Sequence, residues 1–469
     1  MDTNSGEQVI SLYAKREPIY PRSVKGWYSH WRWVMVWLTQ LVFYGMPWLQ
    51  WNGRQAVLFD LAERRFFIFN LVLHPQDLIY LAALLVLSAL ALFFFTAVAG
   101  RLWCGYACPQ TVYTEIFMWL ERRIEGDRMA RIRLEAAPWS TQKTFRKGGK
   151  HVSWIGVALV TGFSFVGYFT PIHALAAELG HGSFSAWEWF WVLFYAGATY
   201  GNAGYMREQI CKYMCPYARF QSALIDMDSL VIAYDAARGE ARGARARGVD
   251  PRSKGLGDCV DCTLCVQVCP TGIDIRNGLQ NECIACAACI DVCDDVMSKM
   301  GYAKGLIRYS SGNGIAKSLE WGQMLRRVWR PRVIIYGVLL TTTAALFIGS
   351  LSMRRGFRVD VIKDRSTQAR VVEHGHVENI YRLQVMNATE REQTYSINVS
   401  GLPELTIATS TSLAVPPAGI GTLPVRVTLP PEIAQHYPGQ TERITFEIKN
   451  DTGDGTPVVE EKSVYFVPR

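Results

Sequence analysis

Two stretches decide how this chain reads: CVDCTLCVQVCP over residues 259–270 and CIACAACIDVCD over 283–294. Each carries a C-x-x-C-x-x-C-x-x-x-C run, so eight of the twelve cysteines fall between Cys259 and Cys293. Three thiolates at that spacing wrap one corner of a cubane, while the fourth reaches across to the neighbouring one. The pattern assigns Cys259, Cys262, Cys265 and Cys293 to one [4Fe–4S] cluster, and Cys269, Cys283, Cys286 and Cys289 to a second. Zinc also accepts Cys-x-x-Cys pairs, but a doubled run in this register favours iron–sulfur. Asp294 stands where a second proline would be expected, which alters the turn and removes no ligand. Two adjacent cubanes make a one-electron wire and call for a reducing compartment.

Around this insert the chain alternates between apolar blocks and polar domains. It is 469 residues long, 49% apolar and only 19% charged, with 15 Trp, which argues against disorder and against a wholly soluble enzyme. Five runs carry no charge: 33–53, 78–100, 152–170, 189–206 and 333–353. Each approaches the roughly 20 residues a helix needs to cross hydrocarbon, so five transmembrane helices are expected. Gly45 and Pro47 interrupt the first, and Gly197 and Gly201 the fourth. The polar start (Asp2, Glu7, Lys15, Arg16) offers no secretory signal peptide.

Orientation follows from the loops. Ten Lys and Arg fall in 101–150 and none in 171–186; 207–332 is again rich in them, and 54–77 has only Arg54, Arg64 and Arg65. The N-terminus, 101–150 and 207–332 are therefore expected in the cytoplasm of a bacterial inner membrane protein. After five crossings the tail is expected in the periplasm. Residues 381–387, 395–400, 423–429, 443–448 and 463–467 alternate as short strands, which predicts an Ig-like β-sandwich without a disulfide. The expected order is a cytoplasmic segment 1–32, a four-helix membrane domain 33–227, a ferredoxin-type domain 228–330, a fifth helix 331–354 and the β domain 355–469. The Gly/Ala/Arg linker 236–248 suits anionic lipid headgroups better than RNA, so no nucleic-acid partner is expected. His374 and His376 read as ordinary loop histidines, and His173, His181 and Glu178 as interfacial groups that could touch a quinone or an incoming metal.

The other four cysteines form a repeat. Cys104-Gly-Tyr-Ala-Cys108-Pro109 follows the second apolar run and Cys211-Lys-Tyr-Met-Cys215-Pro216 the fourth, each preceded by an arginine, Arg101 or Arg207. Proline is at home at the first helical position, so Cys108 and Cys215 are expected at helix N-caps, where the dipole favours a thiolate. Four converging thiolates, with Met214 near, would make a soft site suited to Cu(I) or an iron–sulfur cluster. Two cysteine pairs packed as small hydrophobes are the plainer alternative.

Two membrane C-x-x-x-C-P motifs, the double run continuing Cys269-Pro-Thr-Gly-Ile-Asp-Ile-Arg-Asn-Gly278, a fifth helix and an outer β domain together closely resemble the CcoG family. These are the cytochrome c oxidase accessory proteins, also called FixG or RdxA. The resemblance covers almost the whole chain. It implies a membrane cupric reductase that turns Cu(II) into Cu(I) for maturation of cbb3-type oxidase. The implied partners are a copper importer, a copper-exporting P-type ATPase, oxidase assembly proteins and a second copy of the chain. Cys104, Cys108, Cys211 and Cys215 match the family's membrane motif and would be the catalytic, metal-binding set. No Gly-x-Gly-x-x-Gly opens a βαβ pattern, so the electron donor is expected to be quinol or a separate cytoplasmic reductase. Two other classes remain open: a quinol dehydrogenase like the NapH-type membrane ferredoxins, and a non-enzymatic oxidase assembly scaffold.

Overall fold

The computed structural model describes residues 18–354, 356–364, 369–452 and 458–469. Asp2, Glu7, Lys15 and Arg16, which carry the expectation of a polar leading segment, lie outside the described residues. The chain divides into two compact units. One gathers residues up to Gly45 with Val86–Val166 and Glu178–Thr341, the other Met46–Leu85, Gly167–Ala177 and Thr342–Arg469.

The first unit is mainly helical. Helix Trp27–Gly45 starts six residues before the expected run. Its first turn is capped from far along the chain: the Asp291 carboxylate accepts from the Tyr28 and Ser29 N–H groups at 3.2 and 2.7 Å. Orphan donors of a helix start are thus satisfied by an acidic side chain, which also suits the dipole. Helix Pro109–Ile124 packs along helix Thr141–Val166, with Phe117 stacked on Trp154. The polar face of Pro109–Ile124 buries two carboxylates, and Glu125 at its C-cap is a third, each with basic partners. Glu115 takes Arg32 and Arg122, Glu121 takes Arg131 at 2.7 Å and Arg207 at 2.6 Å, and Glu125 takes Lys150 at 3.1 Å. Buried charges persist only when paired like this. The fourth apolar run is α-helical over Ala186–Thr199 and then widens into a π-helix, Tyr200–Met206.

Among the described residues two helical segments, Pro75–Ala99 and Pro331–Ser352, are long and apolar enough to cross a membrane, against the five expected. The first expected span is shorter than read. Its last residues pair Gln50 with Gln55 and Trp51 with Arg54 around Asn52 and Gly53, both at positive φ. That is the turn an Asn-Gly pair favours.

In the second unit, residues expected only as a loop form a three-stranded antiparallel sheet, Val57–Asp60, Arg65–Ile68 and Leu71–Leu73. Its Leu58, Phe67 and Val72 bury with Ala418 of the C-terminal part, and Arg54 pairs with Glu390 at 2.5 Å. The C-terminal part is a sandwich of two antiparallel sheets. One orders Thr406–Ile407, Ile420–Leu429, Val377–Asn387 and Phe357–Lys363, with Arg370–Val371 on its flank; the other orders Ser412–Val415, Gln393–Ser400, Thr441–Asn450 and Val459–Phe466. Four of the five expected strands lie inside these, and the fifth, 463–467, runs one residue past the strand that ends at Phe466. Inward residues such as Leu383, Val385, Val425, Phe446 and Ile448 are fully buried. Tyr381 and Tyr465 are buried too, each hydroxyl donating to a backbone carbonyl of the opposite sheet, Val464 and Val377. Satisfied aromatic hydroxyls let polar tips sit in a core that has no disulfide.

Candidate functional site

The ferredoxin-type segment is closed by a short antiparallel pair, Val231–Tyr234 with Ile307–Ser310. Between them the two cysteine runs fold alike. Asp261 and Thr263, which flank Cys262, and Ala285 and Ala287, which flank Cys286, all have φ between 51° and 59°. Left-handed residues alternating in this way turn successive N–H groups inward and form an anion-binding nest. None of the four is glycine, so each carries backbone strain. This is the backbone expected around a negatively charged sulfide cluster.

Cys259, Cys262, Cys265 and Cys293 line one small enclosed cavity with Tyr234 and Arg276. Cys283, Cys286 and Cys289 interact electrostatically with Cys269, and Cys289 also with Cys265 of the other set. Burial raises the Cys265 thiol to about 11 and those of Cys283 and Cys293 to about 12, with neighbouring thiols adding to it. Such thiols stay protonated at neutral pH unless a metal displaces the proton. Among the described residues no three His, Cys, Asp or Glu side chains converge closely enough for a single ion. A cubane asks for less convergence, since its cysteines bind separate irons. An all-thiol donor set in twin nests fits the cluster. Asp294 has a structural use: its carboxylate accepts from the Gly305 N–H at 2.8 Å and holds the chain after the second run.

Both C-x-x-x-C-P motifs place their second cysteine at a helix N-cap, Cys108 before Pro109–Ile124 and Cys215 before Pro216–Leu224. The first cysteines differ. Cys104 lies in the α-turn Leu102–Tyr106, Cys211 in the π-turn Ile210–Met214. All four are half-buried. Burial pushes Cys104 up to about 12, helped by Cys108 and Cys211, and Cys211 up to about 11, helped by Cys108 and Cys215. The two pairs therefore lie within electrostatic reach of one another. The expectation of a dipole-favoured thiolate needs correction at Cys108. Burial outweighs the N–H groups of Thr111 and Gln110 and raises that thiol too. Met214 is 58% exposed rather than buried among the thiols.

This quartet abuts the second ferredoxin set. Cys104 and Cys211 pack on a cluster that contains Ile284, Cys286 and Val268. A Cβ on Gly105 would stand 2.8 Å from the carbonyl oxygens of Ile284 and Ala285, so only glycine permits this approach. Arg101 donates to the carbonyls of Asn281 and Ala218, tying both motifs to the cluster loop. Tyr309 donates to the Ala285 carbonyl at 2.7 Å. Gly105, Asp291 and Tyr309 carried no signal in the sequence, because each matters only through a partner far along the chain. His374 and His376 lie at a surface turn, and His173 stands edge-on to Trp48.

Three family descriptions match the chain: a 4Fe-4S binding domain over residues 81–126, a 4Fe-4S dicluster domain over 206–312, and an Ig-like fold at the C-terminal of FixG over 347–468. The nitrogen fixation protein FixG of Rhizobium meliloti is 38% identical over 464 residues, covering 89% of this chain and 88% of its own. Protein RdxB of Cereibacter sphaeroides is 38% identical (91% and 90% covered), and protein RdxA of the same organism 36% (97% and 98%). The chain belongs to the FixG family. As a FixG-family protein it carries ferredoxin-like 4Fe–4S domains and the family's Ig-like C-terminal domain. The 4Fe-4S dicluster match includes Cys211, Cys215 and all eight cysteines of the double run, and the shorter match includes Cys104 and Cys108. Among solved structures, a FixG-related protein from Vibrio parahaemolyticus matches 24% of this chain and 97% of its own, with 25% identity and a TM-score of 0.22.

Proposed function

We propose that this protein is an inner-membrane iron–sulfur oxidoreductase that reduces Cu(II) to Cu(I) at Cys104, Cys108, Cys211 and Cys215, in support of cbb3-type oxidase maturation. Two [4Fe–4S] clusters, on Cys259, Cys262, Cys265 and Cys293 and on Cys269, Cys283, Cys286 and Cys289, supply single electrons when bound. The observation that carries the reading is the packing of Cys104 and Cys211 directly on the Ile284–Cys286 loop, through a gap that Gly105 leaves open. The reaction consumes one electron per ion, Cu²⁺ + e⁻ → Cu⁺, and the four sulfurs grip the product more tightly than the substrate because Cu(I) is the softer ion. Raised thiol pKa values at Cys104 and Cys211 mean that metal binding there expels protons.

Five membrane crossings are part of the proposal. The chain passes between its two units five times: at Gly45, Leu85, Val166, Ala177 and Thr341. Four of these passages fall inside expected apolar runs, and the fifth precedes the run 189–206. The loop 54–77, the start of the loop 171–186 and the β domain 355–469, all expected outside, fall in one unit, although 178–186 falls in the other; this grouping supports a periplasmic β domain and a cytoplasmic ferredoxin domain. A copper importer, a copper-exporting ATPase and oxidase assembly proteins are the proposed partners.

A second reading has its own support. The 4Fe-4S binding-domain match spans Cys104 and Cys108, which favours a third cluster at the quartet and a NapH-like electron carrier. The Cys104→Ser, Cys108→Ser double variant separates the two. Under the copper reading it loses Cu(II) reduction, followed with a Cu(I)-specific chelator, and keeps about eight irons per chain. Iron falling to about eight from about twelve marks a third cluster. An unchanged rate with unchanged iron overturns both.

A further inference from the structure

The Gly/Ala/Arg linker 236–248 does not hang loose: it folds as a strap along the start of the first cysteine run. The Gly243 N–H donates to the Cys259 carbonyl and the Cys259 N–H to the Gly239 carbonyl, both at 3.3 Å, and the Gly257 N–H reaches the Ala241 carbonyl at 2.9 Å. A Cβ on Gly257 would stand 2.5 Å from the Glu240 carbonyl oxygen, so the two arms of the strap touch. Arg245 clasps them, donating to the Cys259 carbonyl at 3.3 Å and to the Tyr302 hydroxyl at 2.9 Å. Most charges on the strap are spent locally. Arg238 pairs with Asp258, Arg242 with Glu240, and Arg308 with Asp235. Arg247, Arg252 and Lys254, at the turn between the arms, are exposed and have no ion-pair partner among the described residues. Asp250, the one acid between them, accepts from the Arg252 N–H at 3.1 Å.

The run that carries this strap also holds the most accessible ligand. Of the eight cysteines of the double run Cys262 is exposed, whereas Cys259, Cys265, Cys283 and Cys286 are buried and the other three half-buried. Asp261 beside it is paired with Arg276 at 2.5 Å. The two sets are therefore unlike. The first is open to water at Cys262, next to free cations; the second packs on Cys104 and Cys211. We propose that electrons enter at this face, which docks a small acidic one-electron carrier protein of the flavodoxin or ferredoxin kind. The proposal rests on the cluster reading above and names its donor. Electron-transfer encounters need only a small interface, and complementary charge acts mainly on their on-rate. Each encounter takes one electron from the carrier and adds one to the chain, with no proton or group transferred, which matches one electron per copper ion. An anionic lipid surface would attract the same cations but brings no electron to Cys262. The pairing of free cations with an exposed cluster ligand selects the carrier.

The test uses the full chain with its clusters in nanodiscs, without copper, and an acidic flavodoxin as probe. Thermophoresis gives the binding of the oxidised probe, and stopped-flow absorbance of the flavin follows loss of one electron from the reduced probe. Replacing Arg247, Arg252 and Lys254 together by Glu should slow transfer about a hundredfold at low salt and flatten its salt dependence, since steering is worth about 10–10³ in on-rate. Replacing Arg382, Arg426 and Lys462, exposed cations of the β domain, changes the net charge equally and should change neither readout. Reduced methyl viologen should reduce the strap variant no more slowly than the parent, and iron content reports folding. A parent chain without iron would overturn the cluster reading and this proposal together. With iron in place, three results would overturn this proposal alone. They are no binding or transfer with the parent, a parent-like rate in the strap variant, and transfer that anionic lipid in the nanodisc blocks and the strap variant restores. The last is what cations lying on headgroups would give.

Discussion

Replacing Gly105 with alanine is the most direct probe of how the cysteine quartet meets the cluster loop. A Cβ there falls 2.8 Å from two carbonyl oxygens, whereas ordinary contact begins near 3.4 Å. The loop must retreat by the difference, 3.4 − 2.8 = 0.6 Å. It cannot do so freely, since Ala285 is already held at φ 53° and its carbonyl is tied to Tyr309. Overpacking of this kind costs about 1–3 kcal/mol, so about 2 kcal/mol, some thirtyfold in an equilibrium, is expected. Gly148 is the matched control. It lies within helix Thr141–Val166 with nothing within 4 Å of an added Cβ, so Gly148→Ala should stabilise by roughly 0.5–1 kcal/mol. The assay is the half-life of iron retention at a fixed elevated temperature, run beside the rate of Cu(II) reduction at 25 °C. Gly105→Ala should shorten the first and slow the second; Gly148→Ala should lengthen the first and leave the second alone. Equal half-lives and equal rates for Gly105→Ala and the parent chain would refute the close approach.

Cys262→Ser should cost one cluster, taking iron from about eight to about four per chain, while electron paramagnetic resonance retains one S = 1/2 signal in place of a coupled pair. Asp291→Ala removes the cap on helix Trp27–Gly45 and should destabilise by about 1 kcal/mol; Asp291→Asn, which still accepts from Tyr28 and Ser29, should recover most of it in the same half-life measurement. Ser410 is exposed on the β domain. A Ser410→Cys chain with its other cysteines masked should react with an impermeant maleimide in intact spheroplasts, and labelling only after lysis would mean that five crossings is the wrong number.

The parts of this protein that could be read ahead of the structure are those where the chemistry is local. Ligand spacing in 259–293 reflects how three neighbouring thiols reach one metal cluster, and the N-caps at Cys108 and Cys215 follow from the prolines beside them. Strand alternation in 381–467 follows from one buried face per strand. Where two local signals competed, the longer-range one hid the shorter. Asn52-Gly53 is a strong hairpin pair, yet it sits at the end of an uncharged run and was absorbed into it. Alanine at 285 and 287 gives no hint of left-handed backbone, because those angles are imposed by the site and not by the residue. Tertiary demand overrides propensity where function needs it.

The same reasoning bears on how the ferredoxin segment and the helices depend on each other. Asp291 lies between Cys289 and Cys293, and its carboxylate caps the helix that also carries Arg32, the buried partner of Glu115. Glu115 in turn lies on the helix that starts at Cys108. One chain of polar contacts therefore runs from the second cysteine run, through helix Trp27–Gly45, back to the helix that bears half of the quartet. The thiols beside Asp291 are raised by burial, so they take up their ligand form only as metal arrives. The second cysteine run, the start of helix Trp27–Gly45 and the helix of Cys108 are thus joined by one line of polar contacts, so loss of Asp291, Arg32 or Glu115 is expected to disturb the cluster segment and the placement of Cys108 together.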